Sequence, residues 1–249
     1  MEYNLTGKTA LVTGSTSGIG RATADKLAAA GARLVISGRD RTRGEAAVAA
    51  IRAAGGDADF IAAELTDVTS VRNLATRARE IGGGHVDILV NNAGFAPFGP
   101  TADVTADQID SVTAVNVKAP FLLVAELAPG MVANGSGAIV NVSTMVANFG
   151  MPGMALYGSS KAALQLLTKA WAAEFGPHGV RVNAVSPGPT RTEGTVAMGA
   201  GLDQLAATTP AGKPADAEDV ADAIVFLVSD LARHIHGAVL PVDGGRIAV

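Results

Sequence analysis

Tyr157 and Lys161 are the two residues of this 249-residue chain best suited to move a proton together. They lie four positions apart in a stretch without proline that reads as a helix, so both side chains project from one face. A tyrosine hydroxyl, with a pKa of about 10, is a poor acid or base near neutral pH, but a neighbouring ammonium favours the phenolate. The pair therefore predicts proton transfer at a carbonyl or alcohol oxygen. The alternative is a half-buried aromatic ring with a surface lysine one turn away.

A glycine-rich turn follows the first predicted strand and leads directly into a helical pattern. It reads Thr13-Gly14-Ser15-Thr16-Ser17-Gly18-Ile19-Gly20. Glycines let the backbone approach a pyrophosphate, while the N-terminus of the helix offers N–H groups and a positive dipole to the phosphates. The turn therefore predicts a dinucleotide site, the alternative being a glycine-rich turn that holds no ligand. No Gly-Lys-Ser or Gly-Lys-Thr follows, which excludes a P-loop.

The elements that must position these residues are short apolar runs that alternate with longer helical patterns. The predicted strands are 9–12, 33–36, 59–62, 87–90, 138–142, 180–185 and 238–242. The predicted helices are 19–30, 41–54, 69–81, 106–132, 156–175 and 217–230. Most strands are apolar on both faces, as expected where helices cover both sides of a parallel sheet. We therefore predict an α/β fold: a single-domain, Rossmann-type doubly wound parallel sheet with helices on both faces.

Charge and composition exclude several classes of function. The net charge is −4, which leaves no basic field to hold nucleic acid. Cysteine is absent, which excludes disulfides and thiolate metal sites and suits the cytoplasm, where we expect the protein. Neither an uninterrupted apolar run of about 18 residues nor a signal-peptide pattern occurs, so no membrane association is expected. His234 and His236 lack acidic neighbours at ligand spacing, so no metal site is predicted.

Four motifs carry a resemblance to a known family. They are Thr13-Gly14-x-x-x-Gly18-x-Gly20, Asn91-Asn92-Ala93-Gly94, Tyr157-x-x-x-Lys161 and Pro187-Gly188, each after a predicted strand or on a predicted helix. Together they resemble the classical short-chain dehydrogenases/reductases, from about Leu5 to Gly245. The resemblance implies one NAD(P)-binding domain over residues 1–249 and a homotetramer. The weakly periodic stretch 190–213 is predicted to be a loop or lid at the substrate.

The resemblance also implies which residues hold the cofactor. They are Gly14, Ser15, Thr16, Ser17, Gly18, Ile19, Gly20, Arg39, Glu64, Leu65, Asn91, Ala93, Gly94, Tyr157, Lys161, Pro187, Gly188, Thr190 and Thr192. Asn91, Ala93 and Gly94 are assigned to the adenosine ribose. Gly188, Thr190 and Thr192 are assigned to the nicotinamide carboxamide. Glu64 stands where the family usually has Asp or Asn to bind the adenine, and so departs from the pattern.

The charge that follows the second predicted strand bears on the choice of cofactor. An acidic residue there bonds the ribose 2′-hydroxyl, whereas a basic residue accommodates a 2′-phosphate. The chain reads Ser37-Gly38-Arg39-Asp40, so Arg39 favours NADP(H) over NAD(H). Asp40 is expected to cap the next helix. The alternative is that Asp40 turns inward while Arg39 stays in solvent.

The family adds a hydroxyl and an asparagine to the pair Tyr157 and Lys161. Its members place a serine thirteen residues before the tyrosine to bond the substrate oxygen, and Thr144 stands there. Ser143 has the usual residue type and stays open as the alternative. Asn116 matches the asparagine that orders a water behind the lysine, the alternative being a core amide with backbone partners. Lys161 is expected to hold the nicotinamide ribose and to lower the pKa of Tyr157.

These residues predict an NADPH-dependent carbonyl reductase, reversible as an alcohol dehydrogenase, that acts on a small-molecule substrate. The alternatives are a 3-oxoacyl-carrier-protein reductase and a regulator that senses NADP(H) without turnover. Residues 119–160 contain no Lys or Arg to dock an acidic carrier, and Tyr157 and Lys161 are both present, so neither is favoured. Six apolar residues are expected to flank the substrate: Phe95, Phe98, Met145, Phe149, Met151 and Met154. Such residues are equally common in the cores of proteins.

Overall fold

The computed structural model describes residues 3–249, which contain nine strands and eight α-helices. The strands are β1 (Thr9–Thr13), β2 (Arg33–Gly38), β3 (Asp57–Ala62), β4 (Ile88–Asn91), β5 (Gly137–Val142), β6 (Val180–Pro187), β7 (Thr190–Arg191), β8 (Ala215–Asp216) and β9 (Val239–Val242). The helices are α1 (Gly18–Ala29), α2 (Arg41–Ala53), α3 (Val68–Ile81), α4 (Ala106–Thr113), α5 (Ala119–Ala133), α6 (Ala155–Phe175), α7 (Ala200–Ala206) and α8 (Ala217–Val228).

Seven of the strands form one parallel sheet in the order β3-β2-β1-β4-β5-β6-β9. The doubly wound parallel sheet predicted from the apolar runs is therefore confirmed. Every residue of β1 and β4 is buried, because helices cover both faces of the sheet. The two remaining strands, β7 and β8, pair with each other outside this sheet.

Two apolar clusters hold the helices on the sheet, one on each face. The first joins α1, α2 and α8 to the strands and includes the fully buried Leu27 and Ile224. The second joins α3, α5 and α6 and includes the fully buried Leu74, Leu127 and Leu164. Burial of such side chains stabilises the fold by about 1.5 to 3 kcal/mol each. The ends of the strands are therefore held on both sides by packed helices.

The strand order reverses between β1 and β4, since β2 and β3 lie on one side and β5, β6 and β9 on the other. Ligands of open parallel sheets bind at such a reversal, outside the carboxyl ends of the strands. The glycine-rich turn follows β1, the Asn91–Gly94 motif ends β4, and Pro187 ends β6. The topology thus brings the predicted motifs to one edge of the sheet.

The stretch 106–132, predicted as one helix, is divided by a π-helical turn at Ala114–Lys118. Pro120 follows this turn and has no N–H, so the carbonyl of Asn116 cannot receive the usual helical hydrogen bond from it. Instead the N–H of Ala119 donates to the carbonyl of Ala114, one residue farther than in an α-helix. The whole run from Ala106 to Ala133 is long and apolar enough to cross a membrane, but α5 packs in the core.

The stretch 190–213, predicted as a loop or lid, contains more regular structure than expected. It holds β7, a 3₁₀ turn at Glu193–Met198 and α7. Thr192 and Thr195 form a capping box that begins the 3₁₀ turn, which accounts for its local order. Both threonines line the cleft described below, so this segment is a structured wall of the site.

Candidate active site

A cleft of about 760 Å³ opens at the reversal point of the sheet. The predicted site residues that line it are Gly14, Thr16, Ser17, Gly18, Ile19, Gly20, Arg39, Glu64, Leu65, Ala93, Gly94, Ser143, Thr144, Tyr157, Lys161, Pro187, Gly188, Thr190 and Thr192. Three predicted site residues lie outside its lining: Ser15, Asn91 and Asn116. The fold therefore brings most of the predicted residues into one cavity.

Tyr157 lies in the first turn of α6 and lines the cleft together with Thr144. Burial raises the pKa of Tyr157 to about 12, and the hydroxyl of Thr144 opposes part of that rise. The hydroxyl is therefore held in its protonated form near neutral pH, ready to donate.

Lys161 lies one turn farther along α6 and is 2% exposed. Its Nζ donates to the carbonyl oxygen of Val142 at 2.8 Å and lies 6.0 Å from the centroid of the Tyr157 ring. Burial lowers the pKa of Lys161 to about 8. A positive charge this close favours the phenolate, so Lys161 is placed to ease proton loss from Tyr157.

The two hydroxyls after β5 have different partners. The Ser143 side chain is buried, donates to the carbonyl oxygen of Lys161 at 3.4 Å and accepts from Gln165 Nε2 at 3.0 Å. Thr144 has an extended backbone, with φ −164° and ψ 154°, and its hydroxyl lowers the pKa of Tyr157. Neighbouring residues of an extended chain face opposite ways, which separates the two roles. Thr144 is thus the hydroxyl beside the tyrosine, and Ser143 joins β5 to α6.

The Asn116 side chain is fully buried and satisfied by protein groups. Its Nδ2 donates to the carbonyl oxygen of Phe95 and to Ser160 Oγ, both at 2.9 Å, and its Oδ1 accepts from the N–H of Phe95 at 2.8 Å. Both amide N–H groups are therefore in use, as in the core-amide alternative. The side chain ties the loop after β4 to α6, and water ordering by Asn116 stays a prediction.

The glycine-rich turn leaves space that side chains would otherwise fill. Gly14 and Gly18 have φ of +63° and +53°, in the left-handed region that favours glycine. A Cβ on Gly20 would collide with the carbonyl oxygen of Gly14. The first turn of α1 has no acidic residue, so its N–H groups suit a phosphate. These features fit the pyrophosphate of a dinucleotide.

Ser15, although part of this turn, has a structural role. It is fully buried, its hydroxyl donates to the carbonyl oxygen of Val12 at 2.6 Å, and it accepts from the N–H of Ser37 at 2.9 Å. These bonds join β1 to β2. The side chain of Ser15 is thus used by the sheet, and its contact with the cofactor stays a prediction.

Asn91 likewise turns away from the cleft, whereas Asn92 lines it. The Asn91 Nδ2 donates to Asn141 Oδ1 at 2.9 Å and so joins β4 to β5. The Asn92 Nδ2 donates to the carbonyl oxygens of Thr13 and Gly14, at 2.9 and 3.1 Å, and so supports the glycine-rich turn. The predicted contact of Asn91 with the ribose stays a prediction. Asn92 was missed, although it belongs to the same motif.

Arg39 and Arg43 bring two guanidinium groups to the end of the cleft beside β2. Arg39 is exposed. The Asp40 carboxylate caps α2 by accepting from the N–H of Arg43 at 3.0 Å, as predicted. Glu64 and Leu65 line the cleft after β3. Arg43 was missed at the sequence level, although it lies one helical turn after Arg39.

The segment after β6 lies close to the C-terminal residues. A Cβ on Gly188 would lie 2.6 Å from the Cα of Asp243, so glycine is required by this approach. Thr190 Oγ1 donates to the carbonyl oxygen of Gly188 at 3.0 Å. Within residues 3–249, no group of three or more His, Asp or Glu side chains is arranged to hold a metal ion.

The apolar residues predicted to flank the substrate are dispersed. Phe95 lines the cleft, but Met145 is 4% exposed and belongs to the core. Phe98 lines a separate cavity of about 490 Å³. Phe149 packs against Arg246, whose guanidinium lies 4.9 Å from the centroid of the ring. Ser111 and Val115 line the cleft instead, a contribution from the region of α4 that sequence reasoning missed.

Comparisons with known proteins agree over nearly the whole chain. A family model described as enoyl-(acyl carrier protein) reductase matches residues 14–246. The 2,5-dichloro-2,5-cyclohexadiene-1,4-diol dehydrogenase LinX of Sphingobium indicum is 39% identical over 246 residues, covering 98% of each chain. A solved short chain dehydrogenase/reductase family protein is 48% identical, with a TM-score of 0.92 and 100% of both chains covered. A short chain dehydrogenase from Burkholderia cenocepacia J2315, solved with NADP, is 39% identical over 98% of this chain and 99% of its own, with a TM-score of 0.91.

Proposed function

The chain belongs to the short-chain dehydrogenase/reductase family, and from this membership we propose that it is an NADP(H)-dependent oxidoreductase that interconverts a carbonyl compound and a secondary alcohol. The observation that carries the proposal is that Tyr157, Thr144 and the buried Lys161 line one cleft, with Lys161 Nζ 6.0 Å from the centroid of the Tyr157 ring. The relative from Burkholderia cenocepacia was solved with NADP, and the relative from Sphingobium indicum is a diol dehydrogenase, which both support this chemistry.

The lining of the cleft fits a nicotinamide dinucleotide. The first turn of α1 would hold the pyrophosphate, since it offers N–H groups without a competing acid of its own. Gly94 leaves room beside the ammonium, because a Cβ there would lie 3.4 Å from Lys161 Nζ. Gly188 and Thr190 would hold the nicotinamide end. When bound, the cofactor supplies or accepts the hydride at the reacting carbon.

Three side chains of the protein handle the substrate oxygen and its proton. In the reducing direction, Tyr157 gives its proton to that oxygen as negative charge develops there. Thr144 donates a hydrogen bond to the same oxygen, which stabilises the developing charge. The ammonium of Lys161 stabilises the phenolate that remains. In the oxidising direction the phenolate accepts the proton of the alcohol.

Arg39 supports NADP(H) as the cofactor. Its guanidinium is exposed in the cleft and can pair with two oxygens of a 2′-phosphate. The neighbouring carboxylate of Asp40 accepts from the N–H of Arg43 as the cap of α2, which orients it toward the helix.

Calorimetric titration of NADPH and NADH tests the cofactor part of this proposal. We expect NADPH to bind at least about tenfold more tightly, and Arg39→Asp to remove or reverse the preference. Arg41→Asp is a matched control, because Arg41 is exposed, paired with Glu45 and outside the lining of the cleft. Equal or inverted affinities in the unmodified protein would contradict the preference.

Tyr157→Phe tests the chemical part. The variant should bind NADPH normally, while turnover with a panel of ketones and aldehydes should fall by about 10²- to 10⁴-fold, because only the proton donor is lost. An unmodified protein that binds NADPH but turns over no member of the panel would favour the NADP(H)-sensing alternative.

A further inference from the structure

Glu193 places a carboxylate at the glycine-rich turn. Its Oε2 accepts from the N–H of Gly18 at 2.8 Å, and its Oε1 lies 3.4 Å from Arg43 Nη2. Gly18 is the first residue of α1, so its N–H has no partner within the helix. An N–H group at a helix N-terminus and a guanidinium are the groups that bind phosphate oxygens. The carboxylate of Glu193 therefore occupies donors of the kind that a phosphate would use.

The fold supports this contact from both sides. Glu193 begins the 3₁₀ turn Glu193–Met198, which the hydroxyls of Thr192 and Thr195 cap. Gly18 allows the segment to approach, because a Cβ there would lie 3.2 Å from the Cβ of Thr192. The two walls of the cleft are thus joined directly, through residues 175 positions apart in the sequence.

We propose that Glu193 sets the affinity of the site for the phosphates of its cofactor and couples phosphate binding to the Glu193–Met198 segment. This inference rests on the proposed function, because it takes the cleft to be a dinucleotide site. The carboxylate and a phosphate compete for the N–H of Gly18 and the guanidinium of Arg43, since two anions on one pair of donors repel each other. Binding of phosphate therefore displaces Glu193 and frees the Glu193–Met198 segment from its contact with Gly18.

Removal of the charge at Glu193 should accordingly strengthen phosphate binding. Glu193→Gln is compared with Glu80→Gln, a carboxylate on α3 of nearly equal exposure, 63% against 61%, that is also paired with an arginine. Calorimetric titration with NADPH and with inorganic pyrophosphate should show about threefold to fivefold tighter binding for Glu193→Gln, the range for one exposed charged contact. Glu80→Gln should match the unmodified protein.

Hydrogen exchange measures the coupling without any turnover. Saturating pyrophosphate should raise the exchange of amides in the Glu193–Met198 segment of the unmodified protein. In Glu193→Gln this exchange should already be raised and should change little when pyrophosphate is added. Equal dissociation constants in the two proteins, or unchanged exchange in the unmodified protein, would overturn the inference.

The two proposals fail in different ways. An unmodified protein that binds neither NADPH nor NADH overturns the proposed function, while the pyrophosphate titration still decides the competition by Glu193. Tight NADPH binding with the same dissociation constant in Glu193→Gln leaves the proposed function standing and removes only the role of Glu193.

Discussion

At the scale of single residues, burial decides what each polar group near the reaction centre can do. Lys161 and Ser143 are buried, and their hydrogen bonds go to other protein groups. Thr144 and Tyr157 line the same cleft as these two residues, and the Thr144 hydroxyl lowers the pKa of Tyr157. We therefore propose that a substrate oxygen meets the hydroxyls of Thr144 and Tyr157, with Lys161 behind them.

Substitution of the two hydroxyls after β5 should separate their roles. Thr144→Ala should lower kcat and kcat/KM together by about 10²- to 10³-fold, because it removes a hydrogen bond to developing charge. Thr144→Ser should stay active, since the hydroxyl is kept, and Ser143→Ala should retain most activity. Steady-state kinetics with NADPH and an accepted ketone provide the measurement. An inactive Ser143→Ala with a nearly normal Thr144→Ala would mean that Ser143 is the hydroxyl that meets the substrate.

The rate of reduction should depend on pH through Lys161. Burial lowers the pKa of Lys161 to about 8 and raises that of Tyr157 to about 12, so at pH 7 both groups hold their protons. As the pH rises through about 8, Lys161 loses the charge that stabilises the phenolate, and kcat for reduction should fall. Measurement of kcat from about pH 6 to about pH 10 should show this fall. A rate that stays constant up to the alkaline end would contradict it.

At the scale of elements, side chains supply hydrogen bonds to the backbone groups that have no partner at the ends of helices. Arg181 on β6 reaches the C-terminus of α8 and donates to the carbonyl oxygens of Leu227, Val228, Ser229 and Ala232. The last carbonyls of a helix have no partner inside it, and a cation there also offsets the negative end of the dipole. Arg181 therefore holds α8 at the edge of the sheet that β9 completes.

Replacement of this arginine should cost stability and leave the site unchanged. Arg181→Met keeps the apolar stem but loses the hydrogen bonds, so we expect the free energy of unfolding to fall by about 2 to 4 kcal/mol. Chemical denaturation measures the loss, and NADPH titration of the folded variant should give the affinity of the unmodified protein. A stability within about 0.5 kcal/mol of the original would show that solvent satisfies these carbonyls equally well.

At the scale of the whole molecule, one outer face of α5 and α6 is formed mostly by small and apolar residues, with Lys169 as an exposed charge beside them. The exposed residues along it are Phe121, Ala125 and Pro129 on α5, with Ala155, Ser159, Ala162, Leu166, Ala170 and Ala173 on α6. Phe121 and Leu166 are 50% and 68% exposed, which is unfavourable in water unless another surface covers them. Small residues at helical spacing allow two helices to approach closely, so we propose that this face joins copies of the chain in a homotetramer.

A charge on this face should therefore weaken the assembly. We expect light scattering after gel filtration to give the mass of a tetramer for the unmodified protein and a smaller species for Leu166→Glu, because an unpaired buried carboxylate is costly. Ala50→Glu, on the exposed face of α2, is the control and should keep the original mass. A monomer in the unmodified protein, or an unchanged mass in Leu166→Glu, would contradict the proposal.

The sequence alone determined the features that depend on local spacing. The parallel sheet follows from apolar runs that alternate with helical patterns, because both periods are properties of the backbone. The shared face of Tyr157 and Lys161 follows from the pitch of one helix, and the glycine-rich turn is recognisable because its glycines are adjacent in the chain. The capping of α2 by Asp40 likewise needs only neighbours within one turn.

Tertiary structure decided everything that depends on a partner distant in the chain. The Ser143 hydroxyl accepts a hydrogen bond from Gln165, 22 residues farther along the chain, and is thereby held between β5 and α6. Asn91 is withdrawn from the cleft by Asn141, 50 residues away, and Glu193 reaches Gly18 across 175 residues. A sequence pattern records residue types at fixed spacing, whereas the direction of each side chain is set by the packing and hydrogen bonds that form when the sheet assembles.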